Sequence, residues 1–317
     1  MAANFYILEK EKRENSQFFT RSKRMAANFY LPDNCWRSVF TFLIKNDEED
    51  NENSQTFKHL SLVSKQFLSI TNSLRFTLTM YDGTLFFLPR LFQRLTNLTS
   101  LDFCCYGFEI DVILHQISHF PLNLKTLIIE FQQTFPTKGL RAFSQNITTL
   151  TSLTCSRFDS LDYCDLCLIA DCFPNLQLLD LNHCEEVSEE GIVYVLMTCL
   201  NIRHLNLSGC FDLKVKLDGL MNFDVPQLEV LNLSDTRVDD RALGVISKSC
   251  RGLLRLLLQN CQCVTKKGVK HVVENCTQLR EINLYGCIVH PKFVASLPRS
   301  SLRKNLDFMP SFNNLLV

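Results

Sequence analysis

The residues best suited to chemistry in this chain are its 15 cysteines. A thiolate can bind a metal, form a disulfide or act as a nucleophile. Many of these cysteines recur at regular spacing, in two sets. The first set is Cys184, Cys210, Cys261 and Cys287, and the second is Cys199, Cys250 and Cys276. A structural repeat explains this spacing without a metal, so we interpret both sets as small buried thiols packed where the chain turns. Metal ligation is the alternative.

Other combinations of residues offer little further chemistry. Cys164 and Cys167 form a C-x-x-C pair, but no second pair follows at zinc spacing, so packing within a helix is the favoured interpretation over metal or redox chemistry. The histidines, including His183 and His204, are scattered. The sequence contains no GxxxxGK[ST], GxGxxG, HExxH or GxSxG motif. We therefore predict no catalytic residue, no metal site and no cofactor.

The elements that position the cysteines are repeats with the template L-x-x-L-x-L-x-x-C. One copy is Leu176, Leu179, Leu181 and Cys184. Copies open at Leu98, Leu124, Leu150, Leu176, Ile202, Leu228, Leu253 and Leu279. The openings are therefore spaced by 25 or 26 residues. In L-x-L, the two leucines point to one face of a short strand and the residue between them points to the other.

The second half of each repeat has helical spacing, as in Gly191, Ile192, Val195 and Leu196. One strand and one helix cannot bury their apolar sides alone, but stacked units share a continuous core. We therefore predict an α/β fold, a solenoid of about eight or nine repeats. A curved parallel sheet lines its concave inner side, and helices form its outer side.

The solenoid needs an element at each end. The segment FTLTM, followed by a helix near residues 85–95, predicts the first strand. Its inward side chains alternate as Phe76, Leu78 and Met80. At the other end, Leu306 and Phe308 predict a last, incomplete strand.

A helical segment precedes the repeats. In LPDNCWRSVFTFL (residues 31–43), Pro32 suits the first turn of a helix. Trp36, Val39, Phe40 and Leu43 then form one apolar stripe. The segment HLSLVSKQFLSI places Leu60, Val63 and Phe67 at helical spacing. Between the two lies NDEEDNENSQ, which predicts a solvated acidic loop.

These residues resemble the F-box. The resemblance is carried by Leu31, Pro32, Val39, Phe40, Leu43, Leu60, Leu62, Val63, Ser64, Lys65 and Phe67. Together with cysteine-type repeats, they make the chain similar to the F-box/LRR family, particularly its plant members. The acidic loop, over residues 45–56, is longer than is usual in the F-box.

The resemblance implies a function. F-box proteins bind the Skp adaptor of cullin-based SCF ubiquitin ligases and, through their repeats, a target protein. The adaptor-binding residues it implies here are Leu31, Pro32, Trp36, Val39, Phe40, Leu43, Leu62, Val63, Lys65 and Phe67. Two alternatives stay open, a repeat scaffold without a ubiquitin role and a small-molecule co-receptor.

The predicted organisation has four parts. Residues 1–24 form an extension, residues 25–72 the helical module, residues 73–310 the solenoid and residues 311–317 a tail. The extension repeats the hexapeptide MAANFY but lacks the Leu-Pro pair and the apolar stripe. We interpret it as a duplication artefact or a regulatory segment that cannot bind as an F-box.

Charge and composition narrow the partners. The chain has 33 basic and 33 acidic residues, which gives no basic excess for nucleic acid or an anionic membrane. No apolar stretch reaches the length of a membrane span. The N-terminus is too charged for a signal peptide, so we expect reduced thiols in the nucleus or cytoplasm.

Residues on the strands that point away from the core are the predicted target contacts. They are Asp180, His204, Arg255, Gln259, Glu281 and Tyr285. Arg and Tyr are enriched among residues that dominate binding energy. Asparagines on the same face, such as Asn206 and Asn232, have two interpretations, target binding or hydrogen bonding to backbone.

Overall fold

The computed structural model describes residues 31–46, 50–81, 86–103, 109–184, 186–211, 223–297 and 303–305. The chain divides into two compact units, Met1–Arg75 and Phe76–Val317. The extension 1–24, the tail 311–317, and the strand expected at Leu306 and Phe308 lie outside the described residues.

The described part of the first unit contains α1 (Asp33–Asn46), α2 (Asp50–Val63) and α3 (Lys65–Ser73). Pro32 precedes α1, and its carbonyl accepts hydrogen bonds from the backbone of Cys35 (2.9 Å) and Trp36 (3.3 Å). Helix α3 begins where it does because Ser64 Oγ accepts a hydrogen bond from the backbone N–H of Phe67 at 3.1 Å.

Two details of the sequence prediction for this unit are wrong. The acidic loop ends early, because residues from Asp50 onward are already helical. Acidic residues suit the first turn of a helix, where the positive end of the helix dipole stabilises them. The second apolar segment is also two helices rather than one, since capping by Ser64 separates Val63 from Phe67.

In the described part of the second unit, ten strands form one parallel sheet in chain order. The strands are β1 (Thr77–Thr79), β2 (Ser100–Phe103), β3 (Thr126–Glu130), β4 (Ser152–Ser156), β5 (Leu178–Asp180), β6 (His204–Asn206), β7 (Val230–Asn232), β8 (Arg255–Leu257), β9 (Glu281–Asn283) and β10 (Arg303–Asn305). The helices described between them are α4 (Leu88–Arg94), α5 (Ile110–Ile117), α6 (Thr137–Asn146), α7 (Tyr163–Cys172), α8 (Glu189–Thr198), α9 (Asp240–Ser249), α10 (Lys266–Asn275) and α11 (Pro291–Ser296). This confirms the predicted leucine-rich-repeat solenoid.

The strands are aligned so that equivalent leucines are neighbours, as Leu153, Leu179 and Leu205 are. These side chains are buried in one apolar cluster together with the helical residues Ile192 and Val195. The solenoid core is thus the shared core that the repeat predicts.

The first strand differs in one detail. Leu78 and Met80 are buried as predicted, but β1 begins at Thr77 and Phe76 is exposed.

Each of the strands β3 to β9 is followed by a residue in the left-handed backbone region, a feature that the sequence did not reveal. These residues are Phe131, Arg157, His183, Gly209, Asp235, Asn260 and Gly286, with φ between 53° and 72°. From Phe131 to Asn260, the N–H of each donates to a carbonyl of the next repeat, as Asn260 N does to the carbonyl of Tyr285 at 2.7 Å. The turn therefore extends the inter-repeat hydrogen bonding beyond the strand.

None of the helices in the described part of the chain has the length and apolar character of a membrane span.

Candidate functional site

Three aromatic rings form the interior of the helical module. Phe40 is 1% exposed and packs against both Trp36 and Phe67, with ring centroids 6.0 Å and 4.9 Å away. Trp36 and Phe67 are themselves 4.7 Å apart and half-buried. The prediction that Phe40 contacts an adaptor is therefore corrected, because its side chain holds α1 against α3.

An apolar surface of the module is exposed. We call it the module face, and it consists of Leu31, Val39, Phe42, Leu43, Leu62 and Val63. Five of these were predicted from the sequence. Phe42 was missed because it lies off the stripe that contains Val39 and Leu43, yet it is 67% exposed. Considering every apolar residue of α1, and not only those at helical spacing from Trp36, would have included Phe42.

Two other predicted residues of the module, Pro32 and Lys65, are also exposed. Lys65 carries a charge and Pro32 lies outside α1, so we do not count either residue in the apolar module face. Pro32 directly precedes α1 and Lys65 is the first residue of α3, and both side chains are accessible to a partner.

Asp180 does not lie open on the strand face. It is buried, and its Oδ1 accepts hydrogen bonds from the backbone N–H (2.9 Å) and side chain (2.7 Å) of Asn182. Its Oδ2 accepts a third, from Asn206 in the next repeat, at 3.0 Å. The prediction of Asp180 as a target contact is thus contradicted, because its carboxylate joins neighbouring repeats.

Glu281 is likewise buried. Its Oε2 lies 2.9 Å from Nε of Arg255, its register neighbour on the adjacent strand. Burial of a carboxylate is costly unless a cation accompanies it, which is the structural reason for this pair. Glu281 is therefore corrected from target contact to structural residue, and Arg255 is largely committed to it.

The remaining strand-face positions differ in accessibility. His204 is half-buried, and desolvation lowers its pKa, opposed by the Glu229 carboxylate. Gln259 is half-buried, whereas Tyr285 is 52% exposed.

The asparagines take the structural alternative. The side-chain oxygens of Asn206, Asn232 and Asn283 accept hydrogen bonds from the backbone N–H two residues later, at 3.0 to 3.1 Å. Each one therefore stabilises the turn that follows its strand.

The cysteine sets are explained by hydrogen bonds between repeats. Cys184 Sγ donates to the carbonyl of Cys155 at 2.9 Å, and Cys210 and Cys261 do the same one repeat back at 3.2 and 3.0 Å. Burial raises the pKa of Cys184 and Cys210 to about 12. The prediction of buried thiols is confirmed for these residues.

Three cysteines are less buried than predicted. Cys287 makes the equivalent bond, to Leu258 at 2.9 Å, but is only half-buried. Cys164 is exposed and Cys167 half-buried, so the first of this pair does not pack as predicted. Among the described residues, no group of three or more His, Cys, Asp or Glu side chains could hold a metal ion.

Comparison with known proteins gives partial matches. No protein-family profile matches the chain. It is 33% identical over 106 residues to "Antagonist of mitotic exit network protein 1" of Eremothecium gossypii, over 32% of this chain and 26% of that protein. It is 26% identical over 137 residues to "F-box/LRR-repeat protein 4" of Bos taurus, over 43% of this chain and 22% of that protein. The chain thus spans about a quarter of these relatives or less.

A solved structure covers nearly the whole chain. It is the crystal structure of a Rad7 and Elc1 complex in yeast, matched with a TM-score of 0.60 at 20% identity, over 96% of this chain and 83% of that one. At this identity the match establishes the fold, in agreement with the repeat architecture.

Proposed function

We propose that this chain is the substrate-recognition subunit of an SCF-type ubiquitin ligase. The module face binds a Skp-type adaptor, which connects the chain to a cullin, and the repeats bind a target protein. The chain contributes no catalytic residue. The observation that carries the proposal is the module face, since six apolar side chains are exposed on a unit of three helices. Several large apolar side chains left exposed on a small unit are typical of an interaction site.

The mechanism follows from proximity. A target held on the repeats and an adaptor held on the module are tethered by one chain, so the local concentration of the target near the ligase rises. Transfer of ubiquitin to the target then accelerates, because an encounter between separate molecules is replaced by one within a complex.

The comparisons support this proposal at a coarse level. One relative is named an F-box/LRR-repeat protein, and the solved structure of matching fold contains Rad7 together with Elc1. The cysteine hydrogen bonds between repeats favour the plant-like cysteine subclass. The reduced, buried thiols fit the nucleus or cytoplasm.

Two other functions remain in competition. A repeat scaffold without a ubiquitin role leaves the module face without a use, which is why we place it second. A small-molecule co-receptor is placed third, because the polar side chains Asp180 and Glu281 on the strand face are buried and bonded to neighbouring repeats.

The test is adaptor binding by the full chain. Phe42→Asp places a charge at one of the most exposed side chains of the module face, so we expect at least about a tenfold loss of affinity for purified Skp adaptor in a titration. Phe86→Asp is the matched control, because Phe86 is 88% exposed but belongs to the repeat unit. Equal binding by wild type and Phe42→Asp would refute adaptor docking by this face.

Phe40 is unsuitable for this test. Its replacement by Ala removes a buried ring, which costs about 3–5 kcal/mol and unfolds the module instead of altering its surface. Hydrogen exchange over residues 33–73 should show this difference between Phe40→Ala and Phe42→Asp.

A further inference from the structure

Helix α7 contains three cysteines, and two of them lie outside the core of the solenoid. Cys172 packs against the apolar core, whereas Cys164 and Cys167 are not among the residues that do so. Cys164 is exposed and Cys167 is half-buried. The packing that the sequence indicated for this C-x-x-C pair therefore does not account for it, and two thiols near the surface of α7 remain to be explained.

The surroundings of the pair differ from those of the repeated cysteines. Cys184 and Cys210 are buried and donate to backbone carbonyls, and burial raises the pKa of each to about 12, which keeps the thiol protonated and inert. Cys167 instead shares a hydrogen bond with the hydroxyl of Tyr163, and this bond raises the pKa of Tyr163. Tyr163 is 46% exposed, so the sulfur that it contacts lies on the outer side of the helix.

The spacing of the pair brings the two sulfurs within reach of each other. Residues three apart in an α-helix lie on the same face, with Cα atoms separated by about 5 Å. A disulfide spans roughly 4.4–6.8 Å between Cα atoms. The Cβ atoms, about 5–6 Å apart in a regular helix, must approach to about 4 Å, so the start of α7 has to tighten. Strain of this kind makes a disulfide easy to reduce.

We propose that Cys164 and Cys167 form a reversible redox pair, which is oxidised by exchange with a low-molecular-weight disulfide. The thiolate of exposed Cys164 attacks one sulfur of that disulfide, whose S–S bond breaks, and the other sulfur leaves as a thiolate and takes up a proton. The thiolate of Cys167 then attacks the Cys164 sulfur and displaces the second thiol in the same way.

The exchange balances without a further reactant. The pair loses two electrons and two protons, and the small disulfide gains them as it becomes two free thiols. Reversal by an excess of small thiol follows the same path backwards. In a reducing compartment, a disulfide of this kind is transient. This inference is independent of the proposed function, because it involves neither the module face nor target binding.

The test incubates the reduced full chain with hydroxyethyl disulfide and follows each cysteine by mass spectrometry of an unreduced digest. An uncharged reagent is chosen because the charged side chains of α7 are all carboxylates. We expect a Cys164–Cys167 disulfide without bound reagent. Cys35 and Cys263 are exposed controls that should keep the reagent as a mixed disulfide, since no cysteine stands three residues from either. Reagent that stays on Cys164, or a failure of Cys164 to react, would overturn the proposal.

Two variants identify the second cysteine of the reaction. Cys167→Ser should prolong the mixed disulfide on Cys164 at least about tenfold, because the attack from within the same helix is lost. Cys172→Ala is the matched control on α7 and should leave disulfide formation unchanged. An equally short-lived mixed disulfide in Cys167→Ser would show that Cys167 is not the partner.

Reversibility is measured on the oxidised wild-type chain. Reduced glutathione should restore both thiols, and a bond that resists it would contradict a reversible pair. The main outcome does not depend on the folding of either variant, since both the oxidation and the reduction are followed in the wild-type chain.

Discussion

At the scale of single residues, the repeated cysteines serve the fold. Each thiol of the first set donates to a strand-end carbonyl one repeat earlier, as Cys210 does to Leu181 at 3.2 Å. A small side chain with a weak donor fits this turn, where a larger one would separate the repeats. Thr236, in the same slot, instead bonds the carbonyl of Leu233 within its own repeat at 2.6 Å.

Reactivity should follow burial. Alkylation of the native chain at pH 8 should modify Cys35, Cys164 and Cys263, which are exposed, before all the buried thiols. A pKa of about 12 leaves Cys210 with about a thousandfold less thiolate than an ordinary cysteine. Half-buried Cys287 should react at an intermediate rate. Mass spectrometry of the digested protein measures each site, and alkylation of native Cys210 as fast as Cys164 would contradict the structure.

At the scale of elements, the turn after each strand determines how closely repeats stack. Gly209 adopts a φ of 71°, and a Cβ there would lie 2.3 Å from Nδ1 of His183 in the previous repeat. At this position the side chain of His183 leaves no room for a Cβ in the next repeat. The pair Asn260 and Gly286 repeats this relation.

Substitution at this turn should be destabilising. We expect Gly209→Ala to lower the free energy of unfolding by about 1–3 kcal/mol, from the left-handed backbone and the contact with His183. Adding His183→Ala should restore the steric part. Gly244→Ala is the control, because no atom lies within 4 Å of a Cβ there and the residue is within α9, so it should stabilise by about 0.5–1 kcal/mol. Urea unfolding measures all four proteins, and a Gly209→Ala variant as stable as wild type would be inconsistent with this account.

At the scale of the whole molecule, the proposed adaptor and target sites belong to different compact units. The module face lies on the first unit and the repeats form the second, so in the proposed function adaptor and target binding draw on separate residues. A receptor needs this separation, since one chain must hold both partners at once.

The extension before the module, residues 1–24, should contribute neither to adaptor binding nor to target binding. A chain beginning at Met25 keeps the Leu-Pro pair and every residue of the module face and of the repeats. We therefore expect it to melt at the same temperature and to bind adaptor with the same affinity as the full chain. Calorimetry and adaptor titration test this. A weaker complex would show that residues 1–24 have a function beyond duplication.

The sequence alone determined the period, the parallel sheet and the apolar core, because each repeat packs mainly against its neighbours and carries its own leucines. Leu179 is buried for a reason visible within ten residues of the chain. The burial of polar side chains on the strand face could not be predicted in this way. Asp180 depends on Asn206, 26 residues away, and Glu281 on Arg255, so their burial was decided by side chains in another repeat. The exposure of Phe42 and the helix break at Ser64 likewise depended on how the helices pack, since Phe40 turns into the interior although it lies on the stripe that was assigned to a surface. Tertiary structure therefore decided which polar and apolar groups remain available to a partner, because availability is what is left after neighbouring elements have made their own contacts.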